Sequence, residues 1–262
     1  MKNLFLSFKA MTLGTCAALS FTSPAMAQSL EPGDHIVTVF YSTLNREDLD
    51  VSRDATTAML SYGYQYSENL RLLGFFGQAR TDNTFPPDSQ TTRTPTFGFG
   101  AQFEIGRGGT LTGTLLSGDI SEAYTSGGIT TPGDGESLTS TLQFEQVAPL
   151  SARTFIKGLA AASHTNSSFD TSGLSNKTNI NRYTVGAEVF HFAGDSWVFS
   201  AALSHTWSNA IITITDEKHL NRARLSTTYR FTEDFAATLG WAQAFGAEDT
   251  HQRFDLSLTH KF

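Results

Sequence analysis

The chain has 262 residues, of which 39% are hydrophobic, 16% charged and 12% aromatic, with one cysteine and a formal net charge of -7. The aromatic content is too high and the charge content too low for a disordered chain, and a single cysteine supports neither a disulfide framework nor a zinc module. The acidic balance provides no basic surface for a phosphate backbone, so we expect no nucleic-acid partner.

The N-terminus has the layout of an export signal. Lys2 and Lys9 precede an apolar stretch at residues 10–21, and the small-x-small sequence at 25–27 suits cleavage by signal peptidase. The sequence therefore predicts a cleaved signal peptide at residues 1–27, a short periplasmic N-terminus at 28–34 and a single domain over 35–262. Cys16 lies inside the signal. Its lipidation is the alternative, which Thr15 before it disfavours.

The rest of the chain repeats short runs in which apolar and polar residues alternate. Alternation at a period of two residues is typical of β-strands with one apolar face. No later stretch keeps a helical period for three turns or provides the 18 or more apolar residues that a membrane helix needs. Alternating runs lie at 37–41, 58–66, 97–105, 138–144, 183–189, 197–203, 225–231 and 235–241, and the last three are the clearest.

The connections between these runs are of two kinds. Five tight ones lie at 67–69, 106–109, 151–153, 194–196 and 232–234, and six longer polar ones lie around 44–54, 82–94, 121–136, 165–180, 209–219 and 246–251. Eleven connections join twelve strands, and an even count with short turns at one end is typical of barrels that span membranes. We therefore predict an all-β fold, a closed antiparallel transmembrane β-barrel of 12 strands, with 10 or 14 as alternatives.

A soluble β-sandwich or lipocalin-like barrel is the alternative fold, because alternation and short turns occur there too. The second face of the runs favours the membrane barrel, since Gly, Ser, Thr, Ala and scattered charges suit a polar lumen better than a solvated exterior. Aromatic residues also cluster at the predicted strand ends, as they do at membrane interfaces. They are Tyr66, Trp197, Phe231 and Phe235 near the short turns and Tyr41, Trp207 and Phe245 near the loops.

The last ten residues carry a family resemblance. The chain ends on Phe262, with Phe254, Leu256 and Leu258 at two-residue spacing before it, whereas His260 departs from the usual apolar residue. This segment resembles the C-terminal signal strand of Gram-negative outer-membrane β-barrel proteins. The resemblance implies an outer-membrane location, contact with outer-membrane lipids, and the barrel assembly machinery as a partner. Twelve-stranded members include small-solute channels, acidic-oligosaccharide porins, autotransporter translocators and a phospholipase, so function stays open.

The lumen of such a barrel decides what passes. The inner-phase residues near the C-terminus are small, and several cations stand at the same phase: Arg222, Arg224 and Arg230, with Arg182, Arg253 and Lys261 on nearby strands. Guanidinium groups in a confined passage bind carboxylates and attract anions, which predicts an anion-favouring constriction. The alternative is that these arginines pair with acids of the lumen and act in stability alone; the candidate acids are Glu104, Glu145, Glu188 and Asp255.

An enzymatic role is the weaker alternative. An outer-membrane lipid hydrolase needs a serine and a histidine within hydrogen-bond reach, and His205 is the best placed histidine, with candidate serines between 226 and 257. His205 is better interpreted as an interfacial residue, and no HExxH or GxSxG motif is present. We expect neither a metal nor another cofactor.

Together these patterns predict an outer-membrane channel for small hydrophilic solutes or ions. A closed barrel with a structural or adhesive role is the second interpretation. A translocator of a passenger domain is disfavoured, because the first strand begins near His35 and leaves about seven mature residues before it.

Overall fold

The computed structural model describes residues 30–48, 51–106, 108–171, 174–212, 217–245 and 252–262. In these residues the chain forms twelve strands and no helix long and apolar enough to cross a membrane. The strands are β1 (His35–Asp48), β2 (Val51–Ser67), β3 (Leu70–Phe85), β4 (Asp88–Ile105), β5 (Gly109–Ser126), β6 (Ile129–Pro149), β7 (Thr154–Thr171), β8 (Leu174–Ala193), β9 (Trp197–Ile212), β10 (Glu217–Arg230), β11 (Phe235–Phe245) and β12 (Gln252–Lys261). The expected signal peptide at 1–27 lies outside the described residues.

Each strand pairs antiparallel with its neighbours in the chain, and β1 pairs with β12 to close the barrel. The closing ladder runs from Ile36 opposite Lys261 to Asn45 opposite Gln252. Closure leaves no sheet edge, so every strand has a hydrogen-bonding partner on both sides, as a barrel in lipid requires. The predicted fold class and strand number are confirmed.

The two faces of the sheet have opposite compositions. The outer face exposes large apolar side chains, among them Val39, Leu60, Phe76, Phe97, Phe99, Leu142, Val185, Phe199, Leu203, Leu225 and Leu239. The inner face buries polar ones, among them Thr38, Gln65, Thr92, Gln102, Thr114, Thr141, Gln143, Thr165, Ser200, Thr228 and Thr259. A water-soluble barrel has the reverse arrangement, so the apolar outer face fits a bilayer. The prediction of a membrane barrel rather than a soluble one is therefore confirmed.

The five predicted tight turns all lie at one end of the barrel, together with the N-terminal Asp34 and the C-terminal Phe262; we call this the terminal end. The turns fall between the strand pairs β2–β3, β4–β5, β6–β7, β8–β9 and β10–β11. Glycine is required where the backbone turns left-handed, as at Gly106 with φ of 60° and Gly194 with φ of 73°. The opposite end is called the extended end.

The segments expected to be long loops at the extended end are largely strand. The β3–β4 ladder continues to Phe85 opposite Asp88, and the β5–β6 ladder continues to Ser126 opposite Ile129. Strands β4 to β8 have 18, 18, 21, 18 and 20 residues, whereas about 10 tilted residues suffice to cross a bilayer. The sequence signal disappears there because both faces lie in a polar environment, so side chains no longer alternate although the backbone ladder continues. The expected loop at 246–251 lies outside the described residues.

The barrel closes at the terminal end through contacts between its first and last residues. The backbones of His35 and Phe262 exchange two hydrogen bonds of 2.9 Å, and their rings stack with centroids 5.5 Å apart. Lys261 Nζ forms an ion pair with Asp34 Oδ2 at 2.9 Å, and this hydrogen bond lowers the pKa of the Asp34 carboxyl. The four C-terminal residues that carry the predicted resemblance all face outward and are exposed: Phe254, Leu256, Leu258 and Phe262.

An apolar cluster occupies part of the lumen near the terminal end. The sequence predicts a polar lumen and did not indicate this cluster. Phe155 and Phe190 stack with centroids 5.5 Å apart, and Phe192 packs edge-on against both rings. Val147, Val198 and Ala236 complete the cluster from neighbouring strands. The lumen is therefore polar over most of its wall and narrowed by aromatic side chains on one side.

Candidate functional site

The candidate site lies on the inner wall of the lumen, on strands β6 to β12. The ladders place Arg222 opposite Ser204 and Ser204 opposite Gly186, and they place Arg224 opposite Ala202 and Ala202 opposite Glu188. These residues share the inner phase because side chains two residues apart on a strand point to the same face. The arginines therefore stand beside a wall of small residues, as the sequence predicts.

Two of the arginines share one carboxylate. Arg253 Nε donates a hydrogen bond of 2.6 Å to Asp255 Oδ1, and Arg224 Nε lies 3.6 Å from Asp255 Oδ2. The Arg253 guanidinium also lies over the ring of Phe40, 5.5 Å from its centroid. Asp255 is 6% exposed, so this carboxylate is shielded and its attraction for both arginines is stronger than at a surface.

Gly240 gives Arg224 the room to reach Asp255. A Cβ atom at residue 240 would lie 3.1 Å from Arg224 Nη2 and 3.4 Å from Asp255 Cβ. The Arg224 guanidinium therefore lies across the backbone of β11, where a larger side chain would displace it.

The other two acids, Glu145 and Glu188, pair with a lysine that the sequence analysis did not single out. Lys157 Nζ lies 2.8 Å from Glu188 Oε2 and 3.3 Å from Glu145 Oε1, and all three side chains are buried. The lysine was missed because β7 is apolar on both faces at this point: Phe155 and Leu159 face inward, whereas Ile156 and Ala160 face outward. Where both faces of a strand are apolar, the sequence does not show which residues face the lumen.

These seven side chains form what we call the charge cluster: Glu145, Lys157, Glu188, Arg222, Arg224, Arg253 and Asp255. It contains four cations and three acids, so the formal sum is 4 minus 3, or +1. Arg222 lies close to Arg224, Arg253 and Asp255. A cavity of about 100 Å³ borders the cluster, and Gly186, Ala202, Ser204 and Ala242 provide its small wall.

The remaining predicted site residues lie away from the cluster. Arg230 is six residues beyond Arg224 on β10, a separation of roughly 20 Å along the strand, and it faces inward near the terminal end. Arg182 lies on β8 towards the extended end, opposite Ser163 and Ser208. Glu104 is exposed at the terminal end of β4, near Arg71. The alternative of arginines paired with acids thus describes Arg224 and Arg253, whereas Glu145 and Glu188 pair with Lys157.

A second inward polar network lies across the lumen, towards the extended end. Arg53 Nε donates to Asn83 Oδ1 at 2.7 Å, and Asn83 Nδ2 donates to Gln90 Oε1 at 3.1 Å. Arg53 and Asn83 are 8% and 1% exposed, so this part of the wall is tightly packed. The sequence reasoning did not single out these residues, since they lie in segments expected to be loops.

The residues considered for a lipid hydrolase face opposite sides of the sheet. His205 points outward on β9, where its Nδ1 hydrogen-bonds Asn221 Oδ1 at 2.6 Å and its ring packs on Trp207. Ser226 points inward and hydrogen-bonds Ser200 at 2.7 Å between the two hydroxyl oxygens, and Ser257 is buried on the inner face of β12. The sheet therefore separates His205 from both serines.

Comparison with known proteins gives structural neighbours only. No family model matches the chain, and no curated protein matches it in sequence. The translocator domain of the autotransporter NalP from Neisseria meningitidis superposes with a TM-score of 0.70 and 13% identity, covering 88% of each chain. The β domain of the Bordetella autotransporter BrkA gives 0.71 and 14%, covering 88% of this chain and all of that one. An outer-membrane channel from Pseudomonas putida F1 gives 0.60 and 14%, covering 90% and 97%.

At these identities the likeness concerns the fold alone. The chain has the fold of outer-membrane β-barrels, and this fold includes both channels and translocator domains. The predicted resemblance to outer-membrane barrels is confirmed at the level of architecture.

Proposed function

We propose that the protein is an outer-membrane channel that passes small hydrophilic solutes and ions and favours anions. The observation that carries this proposal is the charge cluster, which presents one cation in excess to a cavity walled by small residues. In a confined passage with low dielectric walls, an excess positive charge lowers the energy of an anion and raises that of a cation.

Export and membrane insertion form part of the same proposal. Residues 1–27 would direct passage through the inner membrane and be removed, and the outward residues Phe254, Leu256, Leu258 and Phe262 would present the C-terminal strand to the barrel assembly machinery. N-terminal sequencing of protein purified from the outer membrane tests the first step. A first residue other than Gln28 would contradict it.

A catalytic role receives no support from the outward His205 and the inward serines, so we propose a channel that is not an enzyme. Phospholipid hydrolysis by the purified protein, lost in His205→Ala, would contradict this choice.

The second candidate is a closed barrel with a structural or adhesive role. The packed Phe155, Phe190 and Phe192 and the nearly unexposed Thr81 and Asn83 favour it, because they narrow the lumen at two levels.

Conductance in a planar bilayer separates the two candidates. The folded protein is added to one side at a symmetric salt concentration, and its folding is checked by heat-modifiable gel migration. A channel gives discrete openings. A folded protein without openings contradicts the channel and supports the closed barrel.

A further inference from the structure

Arg222 differs from the other cations of the charge cluster. Lys157 pairs with Glu145 and Glu188, and Arg224 and Arg253 pair with Asp255. Arg222 forms no ion pair with any residue that the structure describes, and its nearest charged neighbours include two further guanidinium groups. The excess charge of the cluster therefore resides at Arg222.

An excess charge of this kind is unfavourable unless an anion compensates it. A guanidinium group that is partly shielded from bulk water and lacks a counter-ion is unfavourable, and like charges nearby increase the cost. One monovalent anion would bring the formal sum of the cluster to zero, whereas a divalent anion would leave an excess of negative charge. The charge balance thus favours a monoanion.

The shape of the site favours a carboxylate among monoanions. A guanidinium group presents its N–H donors in a plane that matches the two oxygens of a carboxylate, and Asp255 already occupies such a position between Arg224 and Arg253. Ser204 lies opposite Arg222 and lines the cavity, where its hydroxyl can donate one more hydrogen bond. A cavity of about 100 Å³ holds several waters or a carboxylate with a few carbon atoms.

We propose that this cavity is a saturable binding site for one small monovalent carboxylate, held by Arg222 and Ser204. The proposal deepens the proposed channel function, on which its physiological role rests, by naming the class of anion that the lumen recognises. Binding itself requires only that the solute reaches the lumen, so it can be measured without conduction.

Equilibrium dialysis with radiolabelled propionate tests the proposal. The folded protein in detergent, at low ionic strength, is expected to bind one propionate per barrel with a saturable isotherm. Unlabelled acetate should displace the label, and acetamide, which has a similar shape without the charge, should not. Displacement by acetamide at the same concentration, or a linear isotherm, would overturn the proposal.

Two pairs of variants test whether binding depends on the charge of Arg222 and on the volume of the cavity. Arg222→Gln is expected to weaken binding at least tenfold, and Arg222→Lys less, because lysine keeps the charge without the planar fork. Ala242→Leu fills the cavity without changing any charge and should abolish binding. Ala237→Leu on the same strand faces outward and should bind like the wild type. Equal loss in Ala237→Leu and Ala242→Leu would mean that the site is not this cavity.

The two proposals fail in different ways. A protein that binds propionate but never opens in a bilayer contradicts the channel and leaves the carboxylate site standing. A protein that conducts with anion preference but binds no propionate contradicts the site and leaves the channel standing.

Discussion

The charged residues of the lumen do not pair one to one. Asp255 forms ion pairs with two arginines and Lys157 with two glutamates, so Arg222 remains as the excess cation. The sequence predicted the inner phase of Arg222, Arg224 and Arg253 because their strands alternate clearly. It could not predict which acid pairs with which cation, since strands far apart in the chain supply the partners and Lys157 lies on a strand without a visible phase.

Gly240 is expected to be necessary for the Arg224–Asp255 contact. In Gly240→Ala the new methyl group would lie 3.1 Å from Arg224 Nη2, so the guanidinium must shift by a few tenths of an ångström, which disturbs its contact with Asp255. We expect a lower midpoint of unfolding in urea and a changed ion selectivity. Gly113→Ala is the matched control, since a Cβ there meets nothing within 4 Å. Equal midpoints and selectivities for both variants would contradict the role assigned to Gly240.

The Asp34–Lys261 ion pair is expected to make closure of the barrel depend on pH. The hydrogen bond from Lys261 lowers the pKa of Asp34 below its ordinary 3.8. The contribution of this ion pair to stability is therefore present above pH 3.8 and is lost as pH falls through the lowered pKa. Asp34→Asn should therefore lower the thermal midpoint at pH 7, and this difference should shrink as pH falls below 3.8. A difference that persists undiminished at acid pH would rule out the ion pair as its source.

At the scale of strands, the ladder continues where the sequence indicates loops. In the described segments 82–94 and 121–136 the expected long loops are largely strand. A strand beyond the membrane has polar surroundings on both faces, and the β-branched threonines at 91, 92, 94 and 96 suit a strand without producing alternation. The short turns were predictable because their residues have local conformational preferences. The extensions depend on pairing with neighbouring strands.

Hydrogen exchange tests these extensions directly. Because segment 88–93 pairs continuously with β3 and segment 119–126 pairs continuously with β6, both are expected to exchange far more slowly than an unstructured peptide of the same sequence. Mass spectrometry of the protein in detergent provides the measurement. Complete exchange of both segments within seconds would contradict the extended ladder.

The phenylalanine cluster on β7 and β8 is expected to stabilise the terminal end and to narrow the lumen. Phe190→Ala removes a buried ring that packs on Phe155 and Phe192, at a cost of about 3 kcal/mol in the free energy of unfolding. It should also increase the conductance of the channel. Phe199→Ala on the neighbouring strand faces outward and should leave the conductance unchanged. If both variants conduct like the wild type, the cluster does not limit the passage.

For the whole molecule, composition and alternation were sufficient to predict the fold. The apolar outer face, the polar inner face and the even number of strands all follow from a closed sheet in lipid, and they leave a clear pattern in the sequence. The proposed function leaves a weaker pattern in the sequence, because it depends on the net charge of a few inner residues. Structural neighbours that include channels and translocator domains do not decide between these roles.

The central claim is that the excess charge at Arg222 selects anions. The measurement that tests it most directly is the reversal potential of the channel in a planar bilayer under a tenfold potassium chloride gradient. Arg222→Gln leaves three cations and three acids in the charge cluster, so it removes the excess charge without leaving an acid unpaired. Arg80→Gln is the matched control, because Arg80 is exposed on the outer face near the extended end and pairs with Asp82.

We expect an anion-selective reversal potential in the wild type and in Arg80→Gln, and a potential shifted markedly towards zero in Arg222→Gln. A wild type that is cation-selective or unselective, or an Arg222→Gln variant as anion-selective as the wild type, would contradict the account.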